Sequence, residues 1–110
     1  MRCCEPIAGR DPAAHSALAA RLRALADPTR LAIVARLAAA RGSVCACEIA
    51  SGFAQAQPTI SHHLRVLRQA GLVKAIRRGT WIHYEVDDDA LDGVAAALAA
   101  VRGEAAAEAA

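Results

Sequence analysis

The sequence predicts a mainly α fold: five helices and one small two-stranded β-hairpin. Three observations carry that expectation. Apolar residues make up 55% of the 110 residues, much of it alanine, and aromatics only 3%, a composition that suits closely approaching helices better than a sandwich or a barrel. Ile60, Leu64 and Leu67 recur at i, i+4, i+7, so a helix there buries one stripe and leaves Pro58, His62, Arg65 and Gln69 on the opposite face. After Gly71 the pattern changes to two short runs rich in β-formers, joined through Arg78-Gly79. A polar-faced helix followed by a basic hairpin is the arrangement of a winged helix-turn-helix.

The elements can be placed in order. Residues 1–10, with Cys3, Cys4, Pro6 and Gly9, read as an irregular cysteine-containing tail. A first helix is expected from Asp11-Pro12, with Leu18, Leu22 and Leu25 on one side. Asp27 is a good N-cap with Pro28 at the first helical position, so a second helix should run from Pro28 to Ala40 and bury Leu31, Val34 and Leu37. A short helix, Ala46 to Phe53, precedes the recognition helix, expected from Gln57 to Ala70 with Gly71 as its stop. Strands follow at Val73–Arg77 and Trp81–Val86. The last helix, Asp88 to Arg102, starts among acids that suit its dipole and carries Leu91, Val94, Leu98 and Val101. Residues 11–102 are expected to form one winged-helix domain, and 103–110 a flexible tail.

Charge gives the recognition helix and hairpin a purpose. The formal net charge is only +2, yet no Asp or Glu occurs between Glu48 and Glu85, while Arg65, Arg68, Lys74, Arg77 and Arg78 lie inside that gap. The near-neutral total hides a basic face fit to neutralise phosphates. Base readout is expected from Gln57, Thr59, Ser61, His62 and Arg65. Arg77, Arg78 and Thr80 are expected to grip the backbone or minor groove at the wing, with Arg68 and Lys74 as further phosphate contacts. The partner is double-stranded operator DNA. No run of 18 apolar residues occurs, since Arg36 breaks the best one, and no signal-type stretch follows Met1-Arg2; the expectation is a soluble, cytoplasmic protein with no membrane partner.

Several motifs, in order over residues 15–100, closely resemble the ArsR/SmtB family of metal-responsive winged-helix repressors. They are Ala24-Leu25-Ala26-Asp27-Pro28-Thr29-Arg30-Leu31, Val44-Cys45-Ala46-Cys47-Glu48-Ile49, Gln57-Pro58-Thr59-Ile60-Ser61-His62-His63-Leu64, Gly71-Leu72-Val73 and the Arg78-Gly79 wing tip. The resemblance implies a homodimer joined through its first and last helices that binds an operator when ligand-free and releases it when metal binds. One departure is the turn Ala54-Gln55-Ala56, where the family usually has Gly, an apolar residue and a Ser cap; losing that cap costs the helix start roughly 1 kcal/mol.

The cysteines bear on what is sensed. Cys3-Cys4 and Cys45-x-Cys47 are two close pairs, and in a reducing cytosol thiolate coordination is a better first reading than a disulfide. Soft ligands imply a soft ion: three sulfurs suit As(III) or Sb(III), and four suit Cd(II), Pb(II) or Zn(II). The family resemblance adds that the vicinal pair is like the arsenic type, with Cys45 the third ligand, Cys47 auxiliary and the tail reaching across the dimer. The family's second site, built from Asp and His on the last helix, is missing, because residues 87–102 contain no His. His62 is read as a DNA contact or surface position, His63 as a helix-packing position, and His15 and His83 as surface or edge positions.

Other classes fit less well. No phosphate loop, Ser/His/Asp set or paired-carboxylate arrangement is present, so the chain is not read as an enzyme. A protein-binding adaptor would present an apolar recognition face. A repressor that senses thiol oxidation remains the closer rival to the metal sensor.

Overall fold

The computed structural model describes the backbone of residues 11–109 and the side chains of residues 11–103. Asp11 caps the first helical turn, its carboxylate accepting from the Ala13 N–H at 3.0 Å. What it caps is a single 3-10 turn, Pro12–His15, which runs into α1 (Ser16–Leu25). Then come α2 (Pro28–Ala40), β1 (Val44–Cys45), α3 (Ala46–Ser51), α4 (Gln57–Gln69), β2 (Val73–Arg78), β3 (Trp81–Val86) and α5 (Asp88–Ala109).

Local chemistry sets most of these boundaries. Asp27 accepts from the Arg30 N–H at 3.0 Å and so satisfies one of the orphan donors at the start of α2, while Pro28 gives up no bond there. Asp87 does the same for α5, accepting from the Ala90 N–H at 3.0 Å. α4 ends in a Schellman motif: the Leu72 N–H reaches the Leu67 carbonyl and the Gly71 N–H the Arg68 carbonyl, a geometry that needs the positive φ of 75° found at Gly71. Gly79, φ 64°, supplies the first of the two hairpin-turn residues between the paired Arg78 and Trp81, as a type II′ turn requires. α5 continues past the expected end at Arg102, in keeping with the high helix propensity of its Ala and Glu residues.

The core lies where α1, α2 and α4 meet the sheet. Ile33, Leu37, Ile49, Ile60, Leu64, Leu67 and Leu72 are fully buried, and Ala24 lets α1 approach closely. Two expectations need correction. Leu31 is not a core residue: it is 52% exposed, and Ile33 takes the buried place beside Val34 and Leu37. With 3.6 residues per turn, a stripe spaced by three and three drifts about 60° per step, which carries Leu31 off the buried face. The sheet, moreover, has three strands, in the order β1-β3-β2. Val44 and Cys45 pair antiparallel with Tyr84 and His83, so the segment just before α3 is part of the wing sheet. A two-residue strand has too few positions to show an alternating pattern.

Replacing Ile33 or Leu37 by Ala is expected to destabilise the fold by roughly 2 to 5 kcal/mol, and Leu31→Ala by about 0.5 kcal/mol or less. Urea unfolding of the three variants checks this; equal losses would contradict the placement of Leu31.

Candidate nucleic-acid interface and thiol pair

α4 buries Ile60, Leu64 and Leu67, holds His63 and Val66 partly buried, and turns its other residues outward. Gln57, Thr59, Ser61, His62, Arg65 and Arg68 are all exposed along this helix, and Arg77, Arg78 and Thr80 are exposed at the far end of the hairpin, with Lys74 exposed near its base. Each residue singled out for DNA contact is therefore on the surface, and all of the helical ones lie on one element. The helix start lacks a side-chain cap, as the Ala56 departure implies: the Thr59 and Ile60 N–H groups both fall to the Ala56 carbonyl, at 3.0 and 3.2 Å. The turn before it is held instead by Gln55, whose Nε2 donates to Thr29 Oγ1 at 2.8 Å.

His63 looks the other way. Its ring is mostly buried and lies at the start of α2, with Nδ1 3.1 Å from Arg30 Nη1 and Nε2 4.0 Å from Asp27 Oδ2. A guanidinium only donates, so Nδ1 must accept and the ring proton sits on the Asp27 side. The Arg30 N–H bond, chiefly, holds the Asp27 carboxyl below the usual carboxylate range; the cap's contribution is thus complete above that range and is lost as pH falls from it through the lowered folded value.

The second feature is the pair of thiols. Cys45 is the last residue of β1 and the N-cap position of α3, and it is buried. Cys47 lies in the first turn of α3 and is exposed. Their Sγ atoms are 3.0 Å apart. The hydrogen bond from Cys47 is the main reason the Cys45 thiol is pushed below the ordinary cysteine range, helped by backbone donors; the same bond raises Cys47, with burial adding to it. One proton is shared when the inner sulfur ionises, which makes Cys45 the more acidic of the two. Helix α3 packs directly on α4.

Two adjacent sulfurs fit a thiophilic ion. Among the described residues no group of three or more His, Cys, Asp or Glu side chains is gathered to hold one; Cys45 and Cys47 offer two donors, short of a full set. Cys3 and Cys4 lie outside the described residues. His83 faces Cys45 across the sheet and has a buried Nδ1 with no hydrogen-bond partner among the described residues; it is neither the surface nor the simple edge position the sequence implies. Arg30, Thr29 and Gln55 also escaped the sequence reading, since their contacts join segments far apart in the chain.

A family model described as bacterial regulatory protein, arsR family, matches residues 27–75, from the α2 cap into β2. Over 67 residues the chain is 51% identical to an uncharacterised HTH-type transcriptional regulator of Methanocaldococcus jannaschii, a match covering 61% of this chain and 74% of that protein. The chain belongs to the ArsR family of transcriptional regulators. It is also 44% identical over 62 residues to the arsenical resistance operon repressor of Escherichia coli, covering 56% of this chain and about half, 52%, of that repressor. Among solved structures, a homodimeric winged helix-turn-helix DNA-binding domain from Mycobacterium bovis, described as a possible ArsR-family regulator, superposes with a TM-score of 0.67 at 28% identity over 89% of this chain and 93% of that one. The five-helix winged fold is that of the ArsR family, whose members are regulators and not enzymes. No described helix is long and apolar enough to cross a membrane.

In a Cys3→Ser/Cys4→Ser background, thiolate absorbance is expected to rise at a pH below the ordinary cysteine range. Cys47→Ala should move that first step back up, whereas Cys47→Ser, which keeps a donor, should leave it low. No change on Cys47→Ala would contradict the shared-proton arrangement.

Proposed function

We propose that the chain is a metal(loid)-responsive repressor that binds operator DNA as a homodimer and lets go when As(III) or Sb(III) is held by cysteine thiolates. The observation that carries this reading is the thiol pair at the start of α3, the helix that packs on the polar, cationic recognition helix. A ligand there acts beside the reading head. Cys45 would be the third thiolate beside Cys3 and Cys4, with Cys47, already in contact with it, auxiliary; the bound ion would act as a soft Lewis acid toward these sulfurs. Similarity to the arsenical resistance operon repressor of E. coli supports arsenic as the inducer.

On the DNA side, α4 would enter the major groove with Gln57, Thr59, Ser61, His62 and Arg65 toward base edges, while Arg68, Lys74, Arg77, Arg78 and Thr80 hold phosphate or minor groove. The homodimer would form through the apolar groove of about 280 Å³ between α1 and α5, lined by Leu18, Leu22, Leu98 and Val101 among others; Leu98 and Val101 are more than half exposed in the single chain. Release is linkage: a coupling of about 1 to 3 kcal/mol between ion and operator lowers affinity roughly 5- to 150-fold. Such a protein works in the cytoplasm.

A second reading, favoured by the 3.0 Å sulfur separation, is that oxidation of Cys45 and Cys47 is the signal. A third keeps the metal but makes it Cd(II), Pb(II) or Zn(II) on four thiolates.

Titrating As(III) into the reduced protein on its own promoter DNA should release it, and the Cys3→Ser/Cys4→Ser variant should stay bound. Release only by Cd(II), Pb(II) or Zn(II) would transfer the reading to the four-thiolate site, release only by peroxide would transfer it to oxidation, and indifference to all would overturn the sensor. Arg77→Ala and Arg78→Ala should each lower the slope of log affinity against log salt by about 0.9; an unchanged slope would remove the wing from the interface.

A further inference from the structure

A recognition helix can read bases only if its axis is fixed in the protein, because one face presents several side chains at once. α4 is fixed at two places by arginines that do not lie on it. At its C-terminal end the Schellman motif uses the carbonyls of Leu67 and Arg68, while the Ala70 carbonyl takes a hydrogen bond from Nε of Arg21, on α1, at 3.3 Å. The Arg21 guanidinium lies between α4 and α5: a side chain at Gly71 would meet its Nη2 at 3.5 Å, and one at Gly93 its Nη1 at 3.8 Å. Its charge also complements the negative end of the α4 dipole.

The other attachment is in the second turn. Arg30 Nε donates to the Ala24 carbonyl, in the last turn of α1, at 2.6 Å, and Nη1 of the same group donates to His63 Nδ1 at 3.1 Å. One rigid fork thus spans α1 and α4. His63 and Ala70 are seven positions apart, roughly 10 Å along a helix axis. Two attachments that far apart set the tilt of a helix as well as its position, and both lead to α1. The side chains involved are partly buried, unlike the exposed residues assigned to DNA contact.

We propose that Arg21 and Arg30 are positioning residues for operator reading, which pass the orientation of α1, and with it the α1–α5 face, to the recognition helix. The inference rests on the reading of α4 as the DNA-contacting element. In this arrangement His63 belongs to the recognition helix as an acceptor for Arg30 and not as a base contact, and Gly93 keeps α5 clear of the Arg21 head group. A change in how two copies pack through α1 and α5 would reach α4 through two charged hydrogen bonds and not through the apolar core alone.

The test compares duplex DNA from the chain's own promoter region with a scrambled duplex of equal length, over a range of salt, for the full chain and for Arg21→Lys, Arg30→Lys, His63→Leu and His63→Asn. Lysine keeps the charge but cannot span the two acceptors of Arg30 with one fork, nor does it place a donor where Arg21 uses Nε; asparagine offers Oδ1 where the ring offered Nδ1. Promoter affinity is expected to fall about tenfold in Arg21→Lys, Arg30→Lys and His63→Leu, the scale of one lost hydrogen bond to a charged group. His63→Asn should recover most of the loss. Scrambled-DNA affinity and the salt slope should be unchanged in all, at a temperature where circular dichroism shows each variant folded. Unchanged promoter affinity in the folded variants would overturn the proposal, and so would parallel losses on both duplexes with a shallower salt slope, which would make the arginines phosphate contacts. If either lysine variant fails to fold, the two His63 variants carry the comparison. A wild-type chain that does not prefer promoter DNA would instead overturn the DNA-reading assignment itself.

Discussion

α4 must be apolar enough on one side to be locked into the core and polar enough on the other to be left uncovered. Thirteen residues supply three core side chains, a mostly buried histidine and seven exposed polar groups, and the rest of the chain is arranged around that division. α2 and the sheet close the apolar side. The caps at Asp27, Gly71 and Asp87 fix where helices start and stop, so the division is not blurred by slippage of one element along another.

The parts of this fold legible in the sequence are those decided within a few residues. Asp27-Pro28, Gly71 and Arg78-Gly79 each carry their own geometry, and helix, turn and hairpin follow from them. The α4 stripe was legible because its spacing repeats over two turns. Leu31 was misplaced because an apolar side chain at one edge of a stripe looks like any other until the neighbouring surface is known. β1 was invisible because its partner strand lies at the other end of the domain. The thiols show both cases: their proximity follows from the Cys-x-Cys spacing, but the burial of Cys45 and the facing His83 depend on a strand pairing that no local pattern announces. Arg21, Arg30 and Gln55 act through hydrogen bonds to distant segments, and a lone arginine in a helical run gives no sign of what it will reach.

The thiol pair and the two arginines reach the recognition helix through different neighbours. α3, which packs on α4, carries the sulfur chemistry, whereas α1 is tied to α4 through Ala70 and His63. The same helix is thus exposed to a chemical influence and to a mechanical one. Cys45 also reaches beyond α4, because as a strand residue it shares a ladder with β3, whose far end carries the wing tip. Anything that moves its backbone has the exposed helix α4 and the wing within one step.

The wing tip holds the chain's single tryptophan. Trp81 is 59% exposed and sits directly opposite Arg78, two residues along the strand from the partner of Cys45. The molecule therefore carries its own fluorophore at the point that would meet the duplex, with no second indole to dilute the signal. Its emission can follow wing docking and sulfur chemistry in one unlabelled sample.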